Sequence, residues 1–355
     1  MYRVRQTLKR RLSLVRRYSV EGNVSQPGKK YGRGSAGKWL RRVSSLGEPE
    51  SERPPIRWPF SFTRAIGLDF VRMTRQWKLA RRSLVYGERT LVMGVLNVTQ
   101  DSFSDGREFF AFDRAIEQAE RMIAEGADII DVGGESTRPG SEFVSEEEEL
   151  RRVIPVIERL SSSSSVPISI DTTKVSVARV ALKSGAEIVN DISGLRFEPA
   201  IADEAARAKA GLILMHSRGT PKDMQQIPPV GDVMTEVVGG LILSVAIAES
   251  RGVPRESIAI DPGIGFGKTA EQNVELIAKL DQLVREFPDL PLMIGTSRKS
   301  FIGKLLDGAP AGERLHGTFA SLVAAALKGV HLVRVHDVKA SVEAVRVADA
   351  IKLRA

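Results

Sequence analysis

Gly126-Ala-Asp-Ile-Ile-Asp131 has a near twin in Gly185-Ala-Glu-Ile-Val-Asn190, and Lys209-Ala-Gly-Leu-Ile-Leu-Met215 is a weaker third copy. Each copy stops a helix and then runs through a short apolar strand; the first two end on a polar side chain. Outward from these copies the same alternation continues. Apolar runs at 91–98, 128–132, 166–170, 187–190, 211–215, 257–260, 291–294 and 331–335 are separated by amphipathic stretches of helical length. Eight strand-and-helix units in the 265 residues from 91 onward predict an α/β fold, a (β/α)8 TIM barrel, whose usual size this is. A doubly wound open sheet is the structural alternative, but the chain has no Gly-x-Gly-x-x-Gly fingerprint after a strand.

The helical stretches carry local signals of their own. Ile116, Ala119, Met122 and Ile123 mark one apolar face, closed by Gly126. Ser145-Glu-Glu-Glu148 predicts a capping box, which makes the acidic run 146–149 helix-start chemistry and not a metal site. The serine run 161–165 predicts a loop.

Composition narrows the classes. The chain has 355 residues, 42% of them hydrophobic, and no cysteine, so disulfides, thiolate metal sites and a cysteine nucleophile are excluded. The longest apolar run, 237–248, is too short to span a bilayer and is broken by two glycines. The net charge of +8 is unevenly spread: residues 1–90 hold 22 lysines and arginines against 6 acids, and the rest is net −8. The expected organisation is a basic, low-order N-terminal extension over residues 1–85 and a barrel over 86–355. The basic arm suits a transit-type leader, a nucleic-acid arm, or residues upstream of a start at Met73. For the barrel itself neither nucleic acid nor membrane is an expected partner.

In such a barrel the C-terminal strand ends share one face, and function gathers there. Those ends carry Asn97, Asp131, Asp171, Asn190, His216, Asp261, the stretch Ser297-Arg-Lys-Ser300, and Arg334 with His336. The set contains no nucleophile elbow and no paired metal histidines. Asp171, Asn190 and Asp261 are acceptors suited to a flat heterocycle with several N–H donors, such as an aminopyrimidinone. Arg138, Lys299, Arg334 and His336 are donors suited to phosphate or diphosphate oxygens. Asn97 could add an oxygen to a magnesium ion held mainly by those phosphates. His216 reads as a structural histidine, Thr173 and Lys174 as helix-start residues, and Asp131 and Glu135 as either direct participants or loop scaffold. Lys268 follows a glycine-rich turn and could neutralise phosphate.

Eight motifs in order then resemble one family. Met93-Gly-Val-Leu-Asn-Val-Thr-Gln-Asp-Ser-Phe-Ser-Asp-Gly106 and Asp131-Val-Gly-Gly-Glu-Ser-Thr-Arg-Pro-Gly140 resemble the two signatures of dihydropteroate synthases. Ile168-Ser-Ile-Asp-Thr172, Asn190-Asp-Ile-Ser-Gly194, Leu214-Met-His-Ser-Arg-Gly-Thr-Pro221, Asp261-Pro-Gly-Ile-Gly-Phe-Gly-Lys268, Ser297-Arg-Lys-Ser300 and Arg334-Val-His-Asp337 follow. The resemblance covers about residues 85–352. Gln100 stands where the family usually has proline, and Arg107 where it has the second glycine of Asp-Gly-Gly.

The resemblance implies a cytoplasmic transferase of folate biosynthesis and a target of sulfonamides. It would condense 6-hydroxymethyl-7,8-dihydropterin diphosphate with 4-aminobenzoate, giving 7,8-dihydropteroate and diphosphate with Mg2+ as cofactor. By the same resemblance Asp171, Asn190, Met215, Asp261 and Lys299 hold the pterin. Asn97, Arg138, Arg334 and His336 hold the diphosphate, Asn97 also meeting the metal. Phe103, Thr137, Pro139, Phe266 and Ser300 surround the aminobenzoate, with Phe103 and Asp105 on one mobile loop and Thr137, Arg138 and Pro139 on another. Asp105, Arg138, Lys299, Arg334 and His336 are the expected catalytic set, and a homodimer formed through the last helices is implied.

An aryl amine is a weak nucleophile, so activation falls on the leaving group and a dissociative displacement is expected. Asp105 then orients the amine or steadies the cation, and loop closure excludes water. Two other readings compete. A methyltetrahydrofolate-dependent methyltransferase barrel would share the acceptors but needs no diphosphate donors. A basic nucleic-acid-binding protein would use the arm and keep the barrel as a scaffold.

Overall fold

The computed structural model describes residues 75–98, 108–138 and 140–354. Its strands are β1 (Arg75–Lys78), β2 (Ser83–Tyr86), β3 (Leu91–Asn97), β4 (Ile129–Gly133), β5 (Ile168–Asp171), β6 (Ile188–Asp191), β7 (Gly211–Met215), β8 (Ile258–Asp261), β9 (Met293–Ile294) and β10 (Leu332–Val335). From β3 onward all pairings are parallel, in the order β8-β7-β6-β5-β4-β3-β10-β9. A parallel bridge between Ile260 and Leu292, with the Ile260 N–H donating to the Pro291 carbonyl at 3.0 Å, joins the two ends. The sheet is thereby a closed (β/α)8 barrel, as the eight apolar runs predict, and an open doubly wound sheet is excluded.

Side chains alternate between two cores, because successive residues of a strand point to opposite faces. Leu91, Met93, Ile129, Ile188, Ile213, Ala259, Met293 and Leu332 fill the barrel interior. Their neighbours Val92, Ile130, Val189, Leu212, Ile258 and Val333 pack outward against the helices. Both faces are covered, so the strands read as apolar runs with no polar alternation.

The three repeated copies share one turn. Ala127, Ala186 and Ala210 each donate their N–H back to the carbonyl five residues earlier, the closing bond of a Schellman motif. Gly126 and Gly185 take φ of 101° and 109° in that turn, and Lys209 takes the same place at φ 54° despite its side chain. The weak third copy is thus the same structure with a non-glycine in the left-handed position, at a cost of roughly 1–2 kcal/mol.

Several expectations need correcting. The packed body begins before residue 86: β1 and β2 form an antiparallel hairpin within the compact unit Met73–Ala355. Trp77, Leu79 and Tyr86 of this hairpin join the barrel's inner core. The Trp77 Nε1–H donates to the Ser257 carbonyl at 2.9 Å. Gly211 makes room for the hairpin, since a Cβ there would lie 2.6 Å from Leu79 and 3.1 Å from Trp77. Only residues 75–85 of the expected extension are among those described; the rest of it lies outside them.

The serine run is not wholly a loop. Helix Glu146–Ser163 continues into it, with Ser161, Ser162 and Ser163 hydroxyls donating to carbonyls three or four residues back. The Ser145 cap forms, accepting from the Glu148 N–H at 3.3 Å. The reciprocal half of the box is replaced by ion pairs from Glu148 to Arg151 and Arg152. A complete capping box does occur at Thr269 and Gln272, where the sequence reading had none. Helix Val233–Ser250, which is long and apolar enough to cross a membrane, is one of the barrel's own helices and buries Val233, Val237, Leu241 and Val245.

Candidate active site

The strand-end residues do converge. Register alone sets Asp171 beside Asn190 and Met215 beside Asp261. Asp131 and Asp171 are buried, and Arg334 reaches across the barrel mouth to both. Its Nε donates to Asp131 Oδ2 at 2.7 Å and its Nη2 to Asp171 Oδ2 at 2.6 Å. Asn190 Nδ2 donates to the same Asp131 oxygen at 3.2 Å. Asp131 is therefore a full member of the charge network and more than loop scaffold.

Two acceptors at this centre stand without a partner. Asp131 Oδ1 and Asp171 Oδ1 are buried with no hydrogen bond from the protein. An unsatisfied buried acceptor costs about 1–3 kcal/mol, which a ligand donor can recover. Burial pushes the Asp171 carboxyl up to about 7, with Arg334 opposing that rise. Burial would lower the Arg334 guanidinium, but the Asp131 and Asp171 carboxylates outweigh it and hold Arg334 above its ordinary value.

The opposite wall is built by the turn after β8. Asp261 Oδ1 accepts the Gly263 N–H at 2.7 Å, and burial raises its carboxyl above the usual range. Lys299 donates to the Ile264 carbonyl and lies 4.3 Å from the centre of the Phe266 ring. Burial brings the Lys299 ammonium down to about 8, with Asp261 opposing. Gly265, at φ 86°, lets the turn pass this side chain: a Cβ there would meet Lys299 Cδ at 3.0 Å. Met215, Ile192, Met224 and Phe266 form a small apolar cluster beside these polar groups.

At the rim, His336 Nδ1 lies 3.0 Å from Ser297 Oγ, and burial, reinforced by Arg334, lowers its imidazole to about 4. The ring is neutral at ordinary pH and can donate from one nitrogen only. Asn97 ends β3 with an exposed side chain, and Gly133 lies between it and Asp171. Ser300 is exposed at the start of helix Ser300–Leu305. Thr137 and Arg138 lie on the second loop, which is tied to the segment after β7 through Gly140 N–H and the Pro221 carbonyl at 3.0 Å. A cavity of about 350 Å³ opens there, with Asp171, Thr137, Phe143 and Phe197 in its lining. Phe103, Asp105 and Pro139, like Gln100 and Arg107, lie outside the described residues.

Two side residues acquire definite places. Lys268 is buried and donates to the carbonyls of His216, Gly263 and Phe266, so it clamps the glycine-rich turn and does not face phosphate. Burial drives the His216 imidazole down to about 2, and Gly240 leaves no room beside its ring, as expected of a structural histidine. Among the described residues no group of three His, Asp or Glu side chains could cage a metal. An ion here would depend on phosphate oxygens, a donor set that the single amide of Asn97 fits.

Sequence reasoning missed two groups. Asp191 accepts the Ser193 and Leu195 N–H groups at 2.8 and 2.6 Å and shapes the turn after β6. Glu149, placed among helix-start acids, is fully buried and paired with Lys174. The signal for Glu149 was present: it lies on the same apolar helix face as Val153, Val156 and Leu160.

A family model described as pterin binding enzyme matches residues 93–336. The dihydropteroate synthase of Synechocystis sp. is 52% identical over 266 residues, 75% of this chain and 91% of its own length. The crystal structure of Yersinia pestis dihydropteroate synthase with a sulfonamide drug is 41% identical with TM-score 0.73, covering 78% of this chain and 99% of its own. The Burkholderia cenocepacia dihydropteroate synthase complexed with 7,8-dihydropteroate is 41% identical with TM-score 0.70, covering 79% and 98%.

Proposed function

Because the chain belongs to the dihydropteroate synthase family, its reaction is the joining of a dihydropterin diphosphate to 4-aminobenzoate in folate synthesis, and we propose how its residues divide that work. Asp171, Asn190 and Asp261 receive the pterin N–H donors, Lys299 donates to its acceptors, and Met215 packs on the ring. The observation that carries this assignment is Asp171 Oδ1, a buried acceptor with no protein partner at the centre of the strand ends. A carboxylate with a vacant lone pair suits an aminopyrimidinone edge and would be a net cost to the fold otherwise.

Arg334 has five N–H donors and spends two on Asp131 and Asp171. The remaining ones, with neutral His336 and Arg138, face the leaving diphosphate. These groups stabilise charge as the C–O bond lengthens, which favours a dissociative path for a weak aryl amine nucleophile. Asn97 would hold magnesium together with the diphosphate, and the ion would supply charge neutralisation at the leaving oxygens. Phe266, Ser300 and Thr137 receive the aminobenzoate, joined by Phe103 and Pro139, while Asp105 orients its amine.

A homodimer is the assembly we favour. Leu305, Leu306, Leu327, Val347, Ile351 and Leu353 are exposed apolar side chains on, or one residue past, the last three α-helices, a concentration that suits a second copy. A cytoplasmic location fits a diphosphate substrate, whose charge keeps it from crossing a membrane unaided.

The test is a rate series with ring-substituted 4-aminobenzoates under saturating conditions. A dissociative path is expected to give rates nearly independent of amine basicity, and a steep dependence would contradict it. Asn97→Ala is expected to raise the magnesium needed for half-maximal rate without weakening metal-free pterin binding; an unchanged requirement would remove Asn97 from the metal.

A further inference from the structure

Lys174 lies three positions after Asp171 and directly precedes helix Val175–Lys183, yet its side chain caps nothing. It is only 3% exposed and turns inward. Its Nζ lies 2.5 Å from Glu135 Oε2 and 2.5 Å from Glu149 Oε2. Glu149 is buried within helix Glu146–Ser163, on the barrel wall. Glu135 stands at the entry of the second loop, and its other oxygen, Oε1, accepts the N–H of Val144 at the loop's exit, 3.1 Å away. One carboxylate thus closes the neck of the loop, and one buried ammonium fixes that carboxylate to the wall.

The surroundings allow little play at this neck. Arg152 Nη1 donates to the Gly134 carbonyl at 2.8 Å. A Cβ on Gly134 would lie 2.7 Å from Val153 Cγ1, so the backbone there is pressed against the helix. Within the loop, Ser141 Oγ donates to the Ser136 carbonyl at 2.5 Å and Ser141 N–H to the Arg138 carbonyl at 3.1 Å. Thr137 and Arg138 therefore sit between two pinned ends. A buried ion cluster contributes little net stability, but its hydrogen bonds admit few geometries.

We propose that Lys174 is a positioning residue for the second substrate. Through Glu135 it holds the neck of the second loop, and with it Thr137 and Arg138, in register with the strand end that carries Asp171. This rests on the reading above that Thr137 and Arg138 serve 4-aminobenzoate and diphosphate. It ties the neck of the loop to the pterin site, over the four residues from Asp171 to Lys174.

The test compares K174M, K174R and E135Q with the unaltered protein. Two constants are measured: KM for 4-aminobenzoate, and Kd for the free protein of 6-hydroxymethyl-7,8-dihydropterin, which lacks the diphosphate assigned to Arg138. K174M and E135Q are each expected to raise that KM roughly tenfold or more, as a displaced loop would. The pterin Kd is expected to stay within about twofold, because no pterin contact is removed. The E135Q/K174M double variant is expected to be no worse than the worse single, and K174R to restore most of the loss. Should K174M not fold, E135Q carries the same comparison, since Glu135 is partly exposed. An unchanged KM in E135Q, or a pterin Kd that moves as far as KM, would overturn the proposal. Absence of aminobenzoate-dependent turnover in the unaltered protein would instead overturn the reading on which it rests.

Discussion

Arg334 Nη2 donates to Asp171 Oδ2 at 2.6 Å across the barrel mouth, joining β10 to β5 through side chains alone. The same guanidinium holds Asp131 on β4, so one cation balances two buried carboxylates. Arg334 is therefore a structural keystone, in addition to the diphosphate role proposed for it.

Removing that cation is expected to hurt folding and catalysis together. Arg334→Ala strands both carboxylates, and breaking a buried pair costs about 3–5 kcal/mol. A second change, Asp131→Asn, is expected to recover part of the stability but none of the turnover. Denaturant titration of the single and double variants measures this. A single variant as stable as the parent would contradict the balance of charges described above.

Binding of the pterin is expected to depend on pH through Asp171. Burial lifts its carboxyl from 3.8 to about 7 in the ligand-free fold, and the ionised form is the one that accepts two N–H donors. The affinity for uncharged 6-hydroxymethyl-7,8-dihydropterin should therefore rise with pH and level off above about 7, with a limiting slope of about tenfold per unit below it. Stability moves the other way. The folded chain retains a proton that the unfolded chain gives up between 3.8 and about 7, so this group costs stability as pH rises through that window. Asp171→Asn should flatten the binding profile; a profile that keeps its slope would place the titration elsewhere.

The hairpin beneath the barrel is expected to support folding without touching the chemistry. Trp77 is fully buried in the inner core, and truncating such a residue costs about 3–5 kcal/mol. Trp77→Ala should lower the melting temperature strongly while leaving KM for both substrates unchanged at a temperature where it is folded. A change in KM larger than the change in stability would show that the two ends of the barrel communicate.

Much of this was legible in residue order. The strands buried on both faces announced themselves as apolar runs, and the polar residues that close them, from Asn97 to Arg334, were found by position alone. What stayed hidden were pairings between distant segments. Nothing in the sequence joins Lys174 to Glu135 and Glu149, because the contact spans two helices and a loop. The hairpin was hidden for a different reason: Arg75, Lys78, Arg81 and Arg82 give it the basic composition of the arm, while Trp77, Leu79 and Tyr86 are buried and Leu84 packs against them. The third repeat looked weak because Lys209 accepts a backbone angle usually left to glycine.

The central assignment is tested most directly by following diphosphate release from 6-hydroxymethyl-7,8-dihydropterin diphosphate with magnesium, with and without 4-aminobenzoate. Release that depends on aminobenzoate and matches 7,8-dihydropteroate one for one is expected. Folded protein that releases none, or releases it equally without the amine, would contradict the assignment.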